Sequence, residues 1–478
     1  MVHCRAKQSF TEQDRTLSHS NFSSLSLQPA LLSTLEHLGY HSMTPIQAQS
    51  LPVILTGNDV IAQAKTGSGK TAAFGLGLLQ RLEVKRFQVQ SLVLCPTREL
   101  ADQVAKEIRT LARGIHNIKV LTLCGGMPFG PQIGSLEHGA HIVVGTPGRI
   151  EEHLRKATLR LDALTTLVLD EADRMLDMGF QDTLDAIIEY APSARQTLLF
   201  SATYPDEIQS IAKRVMVEPT MVSVAATHDN DSIQQIVYAL NEHTSRLEAL
   251  QLILLDQRPD SVVIFCNTKR ETQEVAEGLS QMGFSALALH GDLEQKMREQ
   301  VLVRFANHSV SVLVATDVAA RGLDIDALDT VINYQIAREL DVHTHRIGRT
   351  GRAGKQGSAF TLVSDKEAYK LQSLEAYLGH TLETTPLPTG NTTKQPAYKP
   401  PMATLQIGGG KKQKLRAGDI LGALTRNSDI DGKAVGKIHI FDQCAYVAVS
   451  RKVLASALET LETGKLKGRS FRVRHIRG

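Results

Sequence analysis

Short apolar runs rich in β-branched residues alternate with longer helical stretches along most of this chain, and no other feature constrains the fold as strongly. The first series of runs covers residues 91–95, 120–124, 141–145, 167–170 and 197–201. Each run is apolar along its length, as a strand buried on both faces must be, and each ends at a polar or Gly-rich junction. The pattern predicts a parallel β-sheet with helices on both faces.

A second series of the same kind follows a polar stretch at residues 225–232, which we interpret as an interdomain linker. Its runs cover residues 261–266, 286–290, 310–315, 331–333 and 358–363. We therefore expect an N-terminal tail over 1–20 and two consecutive α/β domains of similar size, over 21–224 and 233–378.

The composition of the sequence changes after residue 378. Five of the 16 prolines lie between residues 386 and 401, among Thr and Lys, which indicates an extended connector over 379–403. Strand candidates follow at 404–407, 437–441, 446–449 and 471–474, with helices at 417–425 and 452–462. This βαββαβ order predicts a small α+β sandwich of the RNA-recognition type over 404–478.

The charge of the chain is distributed unevenly. Residues 394–478 contain 17 Lys and Arg against 6 Asp and Glu, a net charge of +11, whereas the whole chain carries only +3. A basic module attached to a mildly acidic body indicates a domain that binds a polyanion. The alternative is a basic domain that is merely well solvated.

Several classes of protein are excluded by composition. No apolar run approaches the roughly 18 residues that a membrane helix needs, and residues 1–20 lack the apolar core of a signal peptide. The five cysteines are scattered without a CxxC pair, which favours a reducing compartment and neither a disulfide framework nor a zinc site. We expect a monomer in the cytoplasm with no membrane partner.

A glycine-rich segment follows the strand candidate at 59–62 and opens a helix at 71–81. Its residues are Ala64, Lys65, Thr66, Gly67, Ser68, Gly69, Lys70 and Thr71. Glycines let backbone N–H groups surround an anion, and the helix N-terminus adds partial positive charge. In such a loop Lys70 reaches the β- and γ-phosphates and the Thr71 hydroxyl binds Mg²⁺.

Two further charged segments complete a nucleotide hydrolysis site. Asp170, Glu171 and Asp173 follow directly after a buried strand, where an acid can hold Mg²⁺ and a neighbouring Glu can activate water. The alternative is a solvated acidic turn. The segment 345–352 contains Arg349 and Arg352, which could stabilise charge on the transferred phosphate from the second domain, or could be a solvated basic loop.

With these segments, the chain resembles the DEAD-box ATP-dependent RNA helicases, whose name is the tetrapeptide at 170–173. Further motifs of the family occur in order from Phe22 to residue 352, among them residues 44–47, 96–101, 146–149, 201–203 and 315–324. The resemblance covers about residues 20–370. It implies two tandem RecA-like parallel-sheet domains that bind ATP and Mg²⁺ and unwind RNA.

Roles for individual residues follow from this resemblance. Phe22, Tyr40 and Gln47 would bind adenine, Asp324 would lie near the ribose, and Thr71 and Asp170 would hold Mg²⁺. Glu171 would activate water, while Lys70 and the two arginines, Arg349 and Arg352, would act on the phosphates. Ser201 and Thr203 would form a hydroxyl relay to Asp173 that couples hydrolysis to strand separation.

The resemblance also implies contacts with RNA phosphates and sugars, which carry no sequence information. In the first domain these residues are Arg98, Gly126, Thr146 and Arg149, and in the second they are Thr268, Gln295, Arg298 and Thr316. Closing both domains on one strand would bend it, which implies local unwinding of short duplexes.

The C-terminal domain resembles that of the bacterial DbpA group, whose members are directed to ribosomal RNA of the large subunit. Its basic residues Lys411, Lys412, Lys414 and Arg416 are the expected RNA contacts. The leading hypothesis is therefore an RNA helicase that acts on a 23S rRNA hairpin in pre-50S particles. An ATP-gated RNA clamp or chaperone with little unwinding activity remains the alternative, and a DNA helicase is a weaker one.

Overall fold

The computed structural model describes residues 21–64, 67–224, 233–320, 328–351, 356–389, 395–426 and 430–476. Of the predicted site residues, Lys65, Thr66, Asp324 and Arg352 lie outside these ranges. The chain divides into two compact units: the first contains one seven-stranded sheet, and the second contains another seven-stranded sheet together with the C-terminal domain. No helix within the described ranges is both long and apolar enough to cross a membrane.

The first unit is built on a parallel sheet in the order β3-β4-β2-β5-β6-β1-β7. Its strands are β1 (Val60–Gln63), β2 (Ser91–Leu94), β3 (Val120–Leu123), β4 (Ile142–Gly145), β5 (Thr166–Asp170), β6 (Gln196–Ser201) and β7 (Thr220–Ser223). Its helices are α1 (Pro29–His37), α2 (Pro45–Thr56), α3 (Lys70–Arg81), α4 (Arg98–Leu111), α5 (Phe129–Glu137), α6 (Pro147–Arg155), α7 (Ala172–Asp177), α8 (Gln181–Glu189) and α9 (Asp206–Val215).

The apolar runs have the two-sided burial expected of a covered parallel sheet. On β2, Val93 packs into one hydrophobic core and its neighbours Leu92 and Leu94 pack into the other. Successive side chains of a strand point to opposite faces, so a strand between two helical layers must be apolar throughout. The predicted fold class is confirmed for this unit.

The second unit repeats this plan with the order β10-β11-β9-β12-β13-β8-β14. Its strands are β8 (Ile233–Leu240), β9 (Val262–Cys266), β10 (Ala286–Leu289), β11 (Val312–Thr316), β12 (Thr330–Asn333), β13 (Gly357–Ser364) and β14 (Glu383–Thr385). The helices are α10 (Arg246–Gln257), α11 (Lys269–Gln281), α12 (Gln295–Ala306), α13 (Asp317–Ala320), α14 (Leu340–Ile347) and α15 (Ala368–Leu378).

Three strands were not predicted: β7, β8 and β14. β8 contains Gln234 and Gln235 and is only partly buried, so it lacks the continuous apolar pattern of the central strands. β14 lies within the expected connector over 379–403 and pairs with β8. The ring of Tyr398, in the same segment, packs edge-on against Phe284 at a centroid distance of 5.8 Å. Part of this connector therefore belongs to the second sheet and its core.

The C-terminal domain has the predicted βαββαβ order. Its antiparallel strands, in the spatial order β16-β17-β15-β18, are β15 (Met402–Ile407), β16 (Val435–Ile440), β17 (Ala445–Ser450) and β18 (Val473–His475). The helices α16 (Ala417–Arg426) and α17 (Leu454–Thr463) cover one face of this sheet. Leu405, Val447 and Val473 point into the core between the sheet and the helices.

Candidate ATP and RNA sites

The order of the first sheet brings the predicted phosphate-binding and acidic residues to one edge. β6 lies between β1 and β5, with Gln63 opposite Ser201 and Phe200 opposite Asp170. The carboxyl ends of parallel strands meet at one edge, which is where open α/β sheets bind ligands. The backbone N–H of Ala64 donates to the Ser201 carbonyl at 3.0 Å and fixes the start of the phosphate loop beside β6.

The phosphate loop depends on two glycines with left-handed backbone. Gly67 has φ +84° and Gly69 has φ +90°, and Gly69 immediately precedes the helix α3. A Cβ at Gly69 would also clash with the side-chain amide of Gln47. Lys70 is buried, and its Nζ donates to the Ala64 carbonyl at 2.9 Å. Ala64 and Lys70 thus meet at the N-terminus of α3, the position where a phosphate group would bind.

Gln47 connects the predicted adenine site to this loop. Its Nε2 donates to the Gly69 carbonyl at 3.0 Å, and its Oε1 accepts from the Thr44 backbone N–H at 2.9 Å. Tyr40 is 40% exposed and offers an accessible ring, whereas Phe22 is buried in the hydrophobic core. Of the two predicted aromatic residues, only Tyr40 presents a face to a ligand.

The first acid, Asp170, is the last residue of β5 and is 3% exposed. Burial raises the pKa of Asp170 to about 7, with the positive charge of Lys70 opposing this effect and Glu171 adding to it. A cation next to such a buried carboxyl group stabilises its ionised form. A carboxylate and the Thr71 hydroxyl are oxygen donors of the kind that Mg²⁺ prefers, and the donor set therefore fits this ion.

Glu171 is held by a residue that the sequence analysis missed. The Arg174 Nη1 donates to the Glu171 Oε2 at 2.7 Å, and both side chains are buried. Glu171 itself has φ +53°, an uncommon conformation for a non-glycine residue that points to a functional constraint. The three-residue spacing of Glu171 and Arg174 was the available signal, since residues i and i+3 are neighbours on a helix.

The third acid, Asp173, receives several hydrogen bonds. Its Oδ2 accepts from the Ala202 N–H, the Thr203 N–H and the Thr203 Oγ1 at 2.9–3.1 Å. Its backbone N–H donates to the Ser201 Oγ at 3.3 Å. Burial acts to raise the pKa of Asp173, but the hydrogen bonds from Thr203 and the charge of Lys70 outweigh it and the pKa is lowered. The structure therefore links the acidic motif to both predicted relay hydroxyls.

The predicted RNA contacts of the first unit lie at the same sheet edge, beyond the acids. They follow β2, β3 and β4, which are adjacent strands. The turn at Gly126 has φ +73° and packs so tightly on the guanidinium of Arg98 that a Cβ there would clash. The Gly125 N–H donates to the Thr146 Oγ1 at 3.5 Å, and the Arg149 Nη1 donates to the Met127 carbonyl at 3.0 Å.

The second unit has an equivalent group at the edge formed by β10, β11 and β9. Thr316 ends β11 and lies opposite Cys266 at the end of β9, two residues before Thr268. Gln295 and Arg298 lie in the first turn of α12, which follows β10. The Arg298 Nη1 donates to the His290 carbonyl at 3.5 Å. All four predicted residues are thus on or beside one contiguous part of the sheet edge.

The Arg-rich segment contains a structural arginine as well as a predicted finger. Arg346 is 1% exposed; its Nε and Nη2 bind both oxygens of Asp317 at 2.6 and 2.7 Å, and its Nη2 also donates to the Asn267 Oδ1. It thereby ties α14 to the ends of β9 and β11. Arg349 is also buried and follows α14 by two residues.

The basic residues of the C-terminal domain form an exposed loop before α16, which we call the basic loop. It consists of Lys411, Lys412, Lys414 and Arg416. Lys467 adds a further positive charge: its Nζ donates to the Lys414 carbonyl at 2.7 Å and pairs with Asp419 at 3.2 Å. The sequence analysis missed Lys467 because the fold brings it next to a loop 53 residues earlier.

These features define a class of protein before any comparison is made. A phosphate loop opens the helix after the first strand of a parallel sheet, acids end a nearby strand, and a second sheet of the same kind follows. This is the arrangement of a P-loop nucleotide hydrolase with two RecA-like domains.

Comparison with family models refines this class. A model described as DEAD/DEAH box helicase matches residues 44–211, and one described as helicase conserved C-terminal domain matches 245–354. A third, described as DbpA RNA binding domain, matches residues 404–475.

Individual proteins agree with these matches. The chain is 52% identical over 457 residues to the ATP-dependent RNA helicase DbpA of Escherichia coli, covering 95% of this chain and 99% of that protein. It is 44% identical to the DEAD-box helicase CshA of Geobacillus kaustophilus, covering 77% and 79%. A solved structure of S. cerevisiae Dbp5 bound to RNA and ADP BeF3 is 30% identical, with a TM-score of 0.70 and coverage of 77% and 96%. The chain belongs to the DEAD-box family of ATP-dependent RNA helicases, and it is an ATP-hydrolysing enzyme with RNA as its partner.

Proposed function

We propose that this helicase remodels 23S ribosomal RNA during assembly of the large ribosomal subunit, acting as a monomer on pre-50S particles in the cytoplasm. The observation that carries the proposal is the exposed basic loop of a C-terminal domain that matches the DbpA RNA binding domain. That domain would bind a hairpin of the ribosomal RNA and hold the two RecA-like domains next to the duplex they act on. Its net positive charge supports binding to a polyanion.

In this proposal ATP binds with adenine against Tyr40 and Gln47 and with its phosphates in the loop from Ala64 to Thr71. Asp170 and Thr71 would hold Mg²⁺, which supplies charge stabilisation to the phosphates when it is bound. Glu171, positioned by Arg174, would orient and deprotonate the attacking water. Arg349 and Arg352 would stabilise the charge that develops on the transferred phosphoryl group.

Coupling between hydrolysis and RNA would pass through the hydrogen bonds around Asp173. Ser201 ends β6 and Thr203 follows it by two residues, and the hydroxyls of both are hydrogen-bonded to Asp173. Contacts from both units to the RNA backbone would bind without reading sequence. A strand bent by these contacts no longer fits an A-form duplex, which favours local unwinding of short helices.

A paired ATPase and displacement assay tests the enzymatic part of the proposal. We expect weak ATP turnover alone and strong stimulation by 23S rRNA, with displacement of a short strand annealed next to the bound hairpin. Glu171→Gln should reduce kcat by at least about 10²-fold while ATP binding is retained. RNA-stimulated hydrolysis without strand displacement would instead support an ATP-gated clamp.

The anchoring part is tested by neutralising Lys411, Lys412 and Lys414 to Gln in the full chain. The matched control neutralises Lys85, Lys213 and Lys366, three exposed lysines elsewhere. We expect the first variant to lose its preference for 23S rRNA over an unrelated RNA of equal length, and the control to keep it. If both variants keep this preference, the basic loop is not the anchor.

A further inference from the structure

The two central strands of the C-terminal sheet, β15 and β17, are covered on both faces. One face packs against α16 and α17, and the opposite face contains Thr404, Gln406, Tyr446 and Ala448, all of which are buried. The Thr404 side chain is fully buried; its Oγ1 accepts from the Asn307 Nδ2 at 3.2 Å and lies 2.7 Å from the Ser309 Oγ. This face is therefore packed on the second RecA-like domain just after α12, and we call this contact the seam.

The seam changes where RNA can reach the C-terminal domain. RNA-recognition domains usually stack bases on the sheet face that carries no helices. Here the ring of Tyr446 is on that face, but it is buried, and its hydroxyl accepts from the Gln406 Nε2 at 3.2 Å. RNA must therefore contact the edges and loops of the domain, which places the surface around the seam within its reach.

A buried cation lies at the seam without a counterion. Arg304, in the last turn of α12, is 6% exposed, and its Nε has no hydrogen-bond partner. Within the described part of the chain no carboxylate pairs with it. The neighbouring charge is instead that of Arg451, an exposed residue after β17. Burial and the Arg451 charge both lower the pKa of Arg304.

The position of Arg451 is fixed by the backbone of the connector. Its backbone N–H donates to the Pro401 carbonyl at 3.0 Å, and its Nε donates to the Pro400 carbonyl at 2.6 Å. Arg304 and Arg451 therefore come from two different domains, and their charges lie close enough at the seam to repel each other. A buried guanidinium beside a like charge is unfavourable unless an anion compensates both.

We propose that Arg304 and Arg451 form a phosphate-binding site at the outer edge of the seam, which holds the backbone of an RNA strand that crosses from the surface of the second RecA-like domain to that of the C-terminal domain. This inference rests on the proposed function. Arginine pairs bind phosphate oxygens through several charge-assisted hydrogen bonds. The same helix, α12, carries the predicted RNA contacts Gln295 and Arg298 in its first turn and Arg304 in its last, so one rigid element joins both sites.

The test compares Arg451→Gln with Lys452→Gln in the full chain. Lys452 is an exposed neighbour, so both variants remove one surface charge at almost the same place. Binding of in vitro transcribed 23S rRNA is measured by filter binding from 50 to 200 mM KCl. For Arg451→Gln we expect affinity at 50 mM to fall about 5–10-fold and the salt slope to shrink by about 0.7–0.9, the loss of one phosphate contact. Lys452→Gln should change affinity by less than about twofold.

Arg304→Met provides an independent readout. It should weaken RNA binding as Arg451→Gln does, while the melting temperature stays the same or rises, because an uncompensated buried charge is replaced by an apolar side chain of similar length. Equal losses for Arg451→Gln and Lys452→Gln would show general electrostatic attraction and overturn the site. If Arg304→Met does not fold, the comparison of Arg451→Gln with Lys452→Gln tests the phosphate-binding site by itself.

Two further outcomes are distinguishable. If the seam binds only free anions, inorganic phosphate should raise the melting temperature of the wild type but not that of Arg451→Gln. The RNA affinity of Arg451→Gln would then equal that of the wild type, and this result would overturn the proposal. Failure of the wild-type protein to prefer 23S rRNA contradicts the proposed function instead. In that case an unrelated single-stranded RNA still tests the seam with the same pair of variants.

Discussion

At the scale of single residues, the acidic motif shows how one short sequence gives three carboxyl groups with different properties. Asp170 is buried at the end of a strand, Glu171 is paired with Arg174, and Asp173 accepts three hydrogen bonds on one oxygen. The pKa of Asp170 is raised by burial, whereas that of Asp173 is lowered by its hydrogen bonds. These environments separate a site suited to a metal ion from a carboxylate that anchors a loop.

Asp170→Asn should stabilise the protein in the absence of Mg²⁺ and nucleotide, even though it removes activity. The pKa of Asp170 is about 7 in the fold against 3.8 when unperturbed, so folding stability falls as the pH rises through this window. Asparagine cannot ionise, so the stability of the variant does not fall with pH for this reason. Its melting temperature should exceed that of the wild type by several degrees at pH 8 and by less at pH 5.

The control for this measurement is Asp162→Asn, which alters an exposed carboxylate paired with Arg160. Exposed pairs contribute little, so its melting temperature should stay close to that of the wild type. An equal gain at pH 5 and pH 8 for Asp170→Asn would contradict the assigned cause.

Arg174→Met should impair hydrolysis without impairing ATP binding. The substitution leaves the buried Glu171 carboxylate without the guanidinium that fixes its position, 2.7 Å away. We expect kcat to fall about 10²-fold or more while KM for ATP changes little, because a misplaced catalytic group affects the transition state most. Arg174→Lys keeps the charge and should restore part of the loss; no rescue together with a raised KM would indicate a general structural defect.

At the scale of elements, function depends on which strands are neighbours. The predicted nucleotide residues lie at or after the ends of β1, β6 and β5, and the predicted RNA contacts of the first unit follow β2, β4 and β3, so one sheet edge carries both groups in separate halves. Strand β5, which ends at Asp170, adjoins β2, which leads into Arg98. An RNA contact and the acidic motif are therefore connected through adjacent strands.

Gly126→Ala tests the RNA half of this edge. A Cβ there would clash with the Arg98 guanidinium, and the positive φ adds about 1–2 kcal/mol of strain. We expect RNA affinity to fall about tenfold, measured by fluorescence anisotropy with a labelled single strand. Gly130→Ala is the matched control, because a Cβ at that helical glycine meets nothing within 4 Å. Equal RNA affinities for the two variants would show that the turn at Gly126 does not contribute to RNA binding.

At the scale of the whole molecule, the C-terminal domain belongs with the second sheet in one compact unit. Thr404 is the central contact, since its hydroxyl meets both Asn307 and Ser309. Its position in β15 also keeps it in register with Ala448 of β17. These buried polar groups help to fix the orientation of the C-terminal domain on the second RecA-like domain.

Thr404→Val should loosen the seam without unfolding either domain. Valine keeps the shape of threonine but leaves the buried Asn307 Nδ2 without the oxygen to which it donates, at a cost of about 1–3 kcal/mol. With dyes on the second RecA-like domain and on the C-terminal domain, we expect a broader distribution of energy-transfer distances. Thr425→Val is the control, because that hydroxyl bonds only its own helix, to the Leu421 carbonyl. An unchanged distribution for Thr404→Val would show that the seam does not depend on this contact.

The sequence by itself determined the fold class and the family, and it predicted most residues of the candidate nucleotide site, because these depend on local patterns. Apolar runs in the sequence predict buried strands. Glycines and a lysine at fixed spacing predict a phosphate loop. Strands β7, β8 and β14 escaped prediction because their burial is partial and their pattern mixed.

Only the tertiary structure showed that Arg174 holds Glu171, that Arg346 ties three segments together, and that Lys467 joins the basic loop. It also decided that Tyr446 is buried and that the charge of Arg451 lies near the buried Arg304. Contacts of this kind join residues that are mostly far apart in the chain, and the burial that sets the strength of a charge or hydrogen bond is fixed only when the elements pack.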